Sequence, residues 1–264
     1  MESPKIDYIQ SKDNKTIKHI ISLQQRKYRQ KFGEYTVEGI RAVTDIGKKG
    51  FLRSILIRES KRSELEPLVQ KDFTISSVYV VQDPIFDKIE HSVNGQGILG
   101  IAKKYVNDLH SFIVEDGLYV ALDGVQDPGN LGTIIRTAVA AGAKGIFLLK
   151  GTVDPFNEKC VRSTMSALCN IPIFEDVTLS EFYDFIKDNT IKTYVTSLEN
   201  AKPYHTISYP KRTMIILGNE GNGVSREIIE MCDQAITIPM YGDIESLNVS
   251  IAAALCMYKV REQI

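Results

Sequence analysis

The chain has 264 residues, of which 43% are hydrophobic and 25% charged. That is the composition of an ordinary soluble globular protein with one large or two medium domains. No apolar run reaches transmembrane length, and the opening residues MESPKIDYIQ lack the apolar core of a signal peptide, so a cytoplasmic protein with no membrane contact is expected.

The net charge of −1 hides an asymmetry. Residues 1–110 carry 19 Lys+Arg against 14 Asp+Glu, a net of +5, and the remainder carries −6. The first 31 residues hold 8 basic and 3 acidic side chains. A basic arm on a near-neutral protein suggests contact with a polyanion, although a solvated amphipathic helix has the same composition. Cys160, Cys169, Cys232 and Cys256 form no CxxC pair and have no nearby histidine. This argues against a metal site and a disulfide framework, and for reduced thiols.

In chain order, residues 14–29 read as one helix. Asn14 is its cap, and Ile17, Ile20, Ile21 and Gln24 follow helical spacing. Lys15, Lys18, Arg26, Lys27 and Arg29 decorate it. Residues 35–37 form a short strand, and a helix over 39–49 is closed by Gly50. Strands are predicted at 54–57, 78–81 and 97–102, with helices near 63–70 and 84–90 between them. This alternation implies a compact α/β unit over 1–103. The poorly periodic stretch 104–117 reads as a linker. A second domain then runs from 118 to 264, opening with a continuous apolar strand, 118–122, of the kind buried on both faces. Further strands are predicted at 145–149, 171–174, 193–196, 214–217 and 235–238, mostly separated by helices. The pattern is an open parallel sheet with helices on both sides.

Ligands in such sheets bind outside the carboxyl ends of the strands, and three of those ends carry unusual residues. After the first strand comes Asp123-Gly-Val-Gln-Asp-Pro-Gly-Asn-Leu-Gly-Thr-Ile-Ile-Arg136. Here Asn130 can cap the following helix, and Arg136 points away from the apolar face of Ile134, Ile135 and Ala138. The second loop, Gly218-Asn-Glu-Gly-Asn-Gly223, places Glu220 among three glycines. It is neither a dinucleotide fingerprint nor a Walker A loop. The third, Ile238-Pro-Met-Tyr-Gly-Asp-Ile-Glu-Ser-Leu-Asn-Val-Ser250, leads into a terminal helix that is apolar on nearly all sides and therefore expected to be buried. Ser246 could cap that helix, which would leave Asn248 and Ser250 past the cap, where such residues are poor helix formers. Each loop has a plain structural explanation as a turn or cap. Three together at strand ends in one domain make a site the better reading.

These blocks resemble the three motifs of the SpoU (TrmH-like) family of RNA 2′-O-ribose methyltransferases, within the SPOUT superfamily. The first is Asp127-Pro-x-Asn130-x-Gly132-x-x-x-Arg136, the second Gly218-x-Glu220-x-x-Gly223, and the third Ile238-Pro-Met followed by Ser246-Leu-Asn-Val-Ser250. Order and spacing agree, with no departure at a key position. Thr36-Val-Glu-Gly-Ile-Arg41 and Asn94-Gly-Gln-Gly-Ile98 resemble segments of the family's accessory domain, which is similar to ribosomal protein L30e.

The resemblance implies an L30e-like α/β domain, followed by a SPOUT parallel-sheet domain with a deep trefoil knot that binds S-adenosylmethionine. It also implies a homodimer with its active site at the subunit interface. By similarity, Arg136, Asn130, Glu220, Ser246 and Asn248 serve the chemistry, and Gly218, Leu217, Ile238, Met240 and Leu247 hold the cofactor. Lys15, Lys18, Arg26, Lys27, Arg29 and Arg41 are the candidate RNA contacts. The expected substrate is ribosomal RNA, most readily 23S, because of the accessory domain. A tRNA 2′-O-methyltransferase and a catalytically inactive RNA-binding protein of the same fold are the alternatives. A nicotinamide-dependent oxidoreductase is a distant third, since its fingerprint is missing.

Overall fold

The computed structural model describes residues 5–72, 77–92, 94–105 and 107–264. The opening residues 1–4 and Val106 of the expected linker lie outside the described residues. The chain divides into two compact units, Met1–Tyr105 with Phe156–Cys169, and Val106–Pro155 with Asn170–Ile264.

The first unit contains β1 (Lys5–Ile9), α1 (Lys15–Ser22), α2 (Arg26–Phe32), β2 (Glu34–Glu38), α3 (Ile40–Lys48), β3 (Leu52–Arg58), α4 (Arg62–Asp72), β4 (Ser77–Val81), α5 (Asp83–Phe86) and β5 (Ile98–Lys103). Its sheet runs β1-β4-β3-β5-β2. β1, β4 and β3 are parallel, and β5 is antiparallel to both neighbours. Ile17, Ile20 and Leu23 from α1 and its C-terminal end pack with Leu56, Val81, Phe86 and Leu99 to form the core.

The helix expected over 14–29 is two helices, α1 and α2. Arg29 is the reason. Its side chain turns inward, 3% exposed, and donates to the Leu23 and Gln24 carbonyls at 2.7 and 2.8 Å. A continuous helix would offer those carbonyls to N–H groups four residues on. β1 was not predicted.

In the second unit the chain forms β6 (Gly117–Asp123), α6 (Pro128–Ala140) and β7 (Gly145–Leu149). It then contributes α7 (Glu158–Ser163) to the first unit, where the Phe156 ring packs on Tyr35 at 4.9 Å between centroids and Glu158 pairs with His91 at 3.0 Å. The second unit resumes with β8 (Ile173–Val177), α8 (Leu179–Asp188), β9 (Lys192–Thr196), β10 (Lys202–Pro203), β11 (Arg212–Gly218), α9 (Arg226–Met231), β12 (Gln234–Thr237) and α10 (Val249–Arg261). The seven strands run β10-β12-β9-β11-β6-β7-β8, all parallel. Only the two-residue β10 was unforeseen.

The central pair β6 and β11 is buried along almost its whole length, as expected for strands covered on both faces. Tyr119, Phe147, Phe174, Phe182 and Phe185 form an aromatic core on one side. On the other, α10 packs against α6, β6 and β11. This arrangement brings the loops after β6, β11 and β12 to the start of α6 and α10.

Candidate active site

The loop after β6 turns into α6 through Asp127. Its carboxylate accepts the Asn130 N–H at 2.8 Å, and Pro128 occupies the first turn, where its missing N–H costs nothing. The expected cap, Asn130, is therefore wrong. Asp127 takes that role because its oxygen reaches an N–H of the first turn, which leaves the Asn130 side chain free for other partners.

Glu220 uses that freedom. Its carboxylate accepts the Gln126 N–H at 3.2 Å, the Asp127 N–H at 3.3 Å and the Asn130 side-chain amide at 3.0 Å. Burial pushes the Glu220 pKa up, but donation from Asn130 and from the backbone outweighs it and holds the carboxyl below its ordinary value. Asn219 braces the same loop. Its Nδ2 donates to the Gly124 carbonyl at 2.8 Å, and its Oδ1 accepts the N–H groups of Gly221 and Asn222 at 2.8 and 3.0 Å. Asn219 and Gly223 also exchange backbone hydrogen bonds. Gly223 sits at φ +70°, and a Cβ on Gly218 would lie 2.1 Å from the Gly223 carbonyl carbon. The first glycine supplies a left-handed turn and the second a close approach that no side chain permits.

At the third loop, Asn248 caps α10. Its Oδ1 accepts the Ser250 N–H at 2.8 Å and the Ser250 hydroxyl at 2.6 Å. The expected cap at Ser246 is displaced by two residues, and Ser250 has a structural role inside the first turn. Asn248 Nδ2 donates to Asn130 Oδ1 at 3.0 Å. Chemistry fixes the direction of this chain. A carboxylate only accepts, so Asn130 must turn its NH2 to Glu220 and its oxygen to Asn248, and Asn248 must keep its own oxygen for the helix. Glu220, Asn130 and Asn248, one from each motif, form one connected network.

Arg136 and Ser246 do not join it. Both are exposed, and neither side chain makes a hydrogen bond or ion pair with the described residues. Arg136 lies on the outward face of α6 with Thr133 and Ala140, while Leu131, Ile134, Ile135 and Ala138 face inward.

Beside the third loop is a cleft of about 400 Å³ lined by Tyr204, His205, Ile238, Pro239, Met240, Leu247 and Leu255, among others. Its size suits a small-molecule ligand. Three of the expected cofactor residues line it, namely Ile238, Met240 and Leu247. Leu217 and Gly218 do not. The Leu217 side chain is buried in the sheet, and Gly218 is pressed against Gly223. Among the described residues, the backbone N–H groups of Met240 and Leu247 have no partner in the chain, which leaves donors beside an apolar cleft.

The terminal helix is not buried all round. Ile251, Leu255 and Tyr258 are 51, 38 and 49% exposed and share one face at i, i+4 and i+7. Ala253, Cys256, Met257 and Val260 supply the buried face. Burial pushes the thiols of Cys232 and Cys256 up to about 12, so both stay protonated and unreactive at neutral pH.

On the first unit, Lys15, Lys18, Lys27 and Arg41 are exposed as expected, although Lys18 pairs with Asp13 at 2.9 Å and Arg41 lies 3.8 Å from Asp45. Arg26 is partly buried. Arg29 must be struck from the RNA contacts, since its guanidinium is consumed in joining α1 to α2.

Sequence reasoning missed Asn219, Tyr204, His205 and Leu255. Asn219 carried a signal, an Asn in a glycine-rich turn able to bond backbone two residues on. The others reach the cleft only through the fold.

The fold is that of the SPOUT methyltransferases. The AdoMet-bound rRNA methyltransferase from Sinorhizobium meliloti superposes with a TM-score of 0.87 at 30% identity, covering 97% of this chain and 98% of that one. The SpoU methyltransferase AviRb from Streptomyces viridochromogenes gives 0.83 at 25% identity over 95% and 97% of the two chains. The chain belongs to the SpoU rRNA methylase family, whose model matches residues 117–258. An MRM3-like substrate binding domain matches residues 14–100. The 23S rRNA (guanosine(2553)-2′-O)-methyltransferase RlmP of Bacillus subtilis is 34% identical, covering 96% of this chain and 98% of the relative.

Proposed function

We propose that this protein methylates a ribose 2′-hydroxyl of 23S ribosomal RNA, using S-adenosylmethionine. The observation that carries the reading is Arg136: an exposed, unpartnered guanidinium on the helix whose first turn anchors the network of all three family motifs. The full-length match to the Bacillus relative supports the choice of RNA, and the matched substrate-binding domain supports a large folded target.

Ile238, Met240 and Leu247 would hold the cofactor with apolar surface and free backbone donors. When bound, it supplies an electrophilic methyl group. The Glu220–Asn130–Asn248 network keeps the loops after β6, β11 and β12 in register around that cleft. Arg136 acts on the RNA. Arginine carries a fixed positive charge on a planar fork that matches a phosphate bidentately. The reaction releases one proton from the hydroxyl, and a group already protonated does not accept it. Arg136 therefore grips the phosphate and stabilises charge developing on the oxygen, and the proton passes to water. Ser246, exposed and unbonded two residues before Asn248, is the residue we assign to the ribose.

The active protein is a homodimer. The exposed face of Ile251, Leu255 and Tyr258 supports this, because three large apolar side chains in a row favour a protein surface over water. Leu255 also lines the cleft, so pairing through this face would complete the site. A deep trefoil knot in the C-terminal segment is supported by the family match and by the superposition on rRNA methyltransferases. Among the described residues no helix is long and apolar enough to cross a membrane, in keeping with work on cytoplasmic ribosomal RNA.

Labelled methyl transfer onto unmodified 23S rRNA and onto tRNA, followed by mapping of the 2′-O-methyl position, tests this reading. Label is expected in 23S rRNA, with the guanosine modified by the Bacillus relative as the first position to inspect. Label confined to tRNA would overturn the substrate, and no transfer to any RNA would favour a binding protein.

A further inference from the structure

Helix α2 is built inside out. A surface helix normally buries apolar side chains and exposes charged ones. In Arg26-Lys-Tyr-Arg-Gln-Lys-Phe32 the buried residue is Arg29, while Phe32 is 42% exposed and Tyr28 only partly buried. The two rings lie one turn apart, nearly parallel at 11°, with centroids 6.1 Å apart. A cation accompanies each: Lys27 Nζ is 4.8 Å from the centroid of Tyr28, and Lys31 Nζ is 5.4 Å from that of Phe32. His19 packs T-shaped against Phe32, with ring centroids 4.8 Å apart, and is itself bonded to Glu34 at 2.7 Å. One side of Phe32 is thereby fixed, and the ring cannot fold away easily.

We propose that Tyr28 and Phe32 form a stacking platform for an unpaired base of the RNA substrate, with Lys27 and Lys31 leaving the rings they cover for the flanking phosphates. The inference rests on the RNA-methyltransferase reading and adds to it a base-contacting site on the first unit. Two observations select this occupant. Exposed aromatic rings interleaved with lysines match single-stranded nucleic acid, which presents flat faces and a charged backbone together. An aliphatic partner would leave both ammonium groups against an apolar surface, where they lose hydration without compensation.

The test uses the full-length protein, a short single-stranded RNA carrying 2-aminopurine, and unmodified 23S rRNA. Phe32→Ala is expected to weaken binding of both RNAs by about 5- to 100-fold and to abolish quenching of the 2-aminopurine. S-adenosylmethionine affinity and thermal midpoint, measured on the same variant, should stay as in wild type. Phe32→Trp should restore binding, because any large ring can stack. Lys31→Ala should instead flatten the dependence of log affinity on log salt by about 0.7, which Phe32→Ala should not. Wild-type RNA affinity in Phe32→Ala overturns the proposal, as does a Phe32→Trp variant that binds as weakly as Ala. A changed oligomeric mass in Phe32→Ala with unchanged RNA affinity would mark a protein contact instead, and also overturns it. Methyl transfer by wild type, assayed in parallel, separates the two readings. Transfer without any effect of Phe32→Ala sinks the platform alone, and Phe32-dependent quenching without transfer sinks the enzyme reading alone.

Discussion

Glu220, Asn130 and Asn248 differ from Arg136 and Ser246 in one physical respect. The first three spend their hydrogen-bonding groups on one another and on backbone, so that each family motif is tied to the next. The side chains of the other two are exposed and bind nothing among the described residues. Residues of the first kind hold a shape. Those of the second kind are, on the proposed function, left for RNA. Mutating the tied set should therefore lower stability and activity together, and mutating the untied set should lower activity or assembly while the protomer stays folded.

The largest effect on the tied side belongs to Gly218→Ala. Its new Cβ would collide with backbone at 2.1 Å, and backbone cannot rotate aside, so a loss of about 3 kcal/mol or more is expected in denaturant unfolding. Survival of Gly218→Ala near wild-type stability would show that the loop is looser than its hydrogen bonds imply. Glu220→Gln is milder. It replaces an acceptor of three donors by an amide that turns an NH2 toward at least one of them, costing about 1 kcal/mol of stability and an accompanying fall in turnover. A fall in turnover with unchanged stability would move Glu220 to the untied set.

On the untied side, Leu255→Asp is expected to lower the molar mass in light scattering from dimer to monomer and to remove methyl transfer. The protomer's circular dichroism should be kept. A dimer that persists would place the interface elsewhere.

The smallest effects are electrostatic and opposite in sign. Glu220 has a lowered pKa in the fold, so its contribution is present above the ordinary glutamate value and fades as pH falls through the lower, folded one. His91 in the first unit has a raised pKa, because its bond to Glu158 outweighs burial. Its contribution is full below the ordinary histidine value and is lost as pH rises through the folded one. Unfolding curves at increasing pH should show the first unit weakening by about 1 kcal/mol or less, and His91→Gln should abolish that slope.

Much of this was legible in the sequence. Apolar runs placed six of the seven strands of the second sheet, since strands buried on both faces read as continuous hydrophobic segments. The motif spacing selected all three residues of the network. What escaped depended on direction rather than identity. Asp127 and Asn130 are both good caps, and only geometry shows which one reaches the N–H. Asn248 and Ser250 looked misplaced until the helix start moved. The terminal helix reads as buried because composition cannot distinguish a face covered by its own chain from one left bare. Arg29 reads as a surface cation because a charged residue in a basic stretch gives no sign of turning inward. Segment 156–169 could not be assigned to the first unit from its position, since contiguity in sequence is all that a linear reading offers.

On the proposed function, Arg136 acts on RNA without supporting the fold. The most direct test is Arg136→Ala, followed by turnover on unmodified 23S rRNA, RNA affinity and thermal midpoint in one preparation. The expected result is a turnover lower by about 100-fold or more with an unchanged midpoint. Wild-type turnover with unchanged RNA affinity would contradict it.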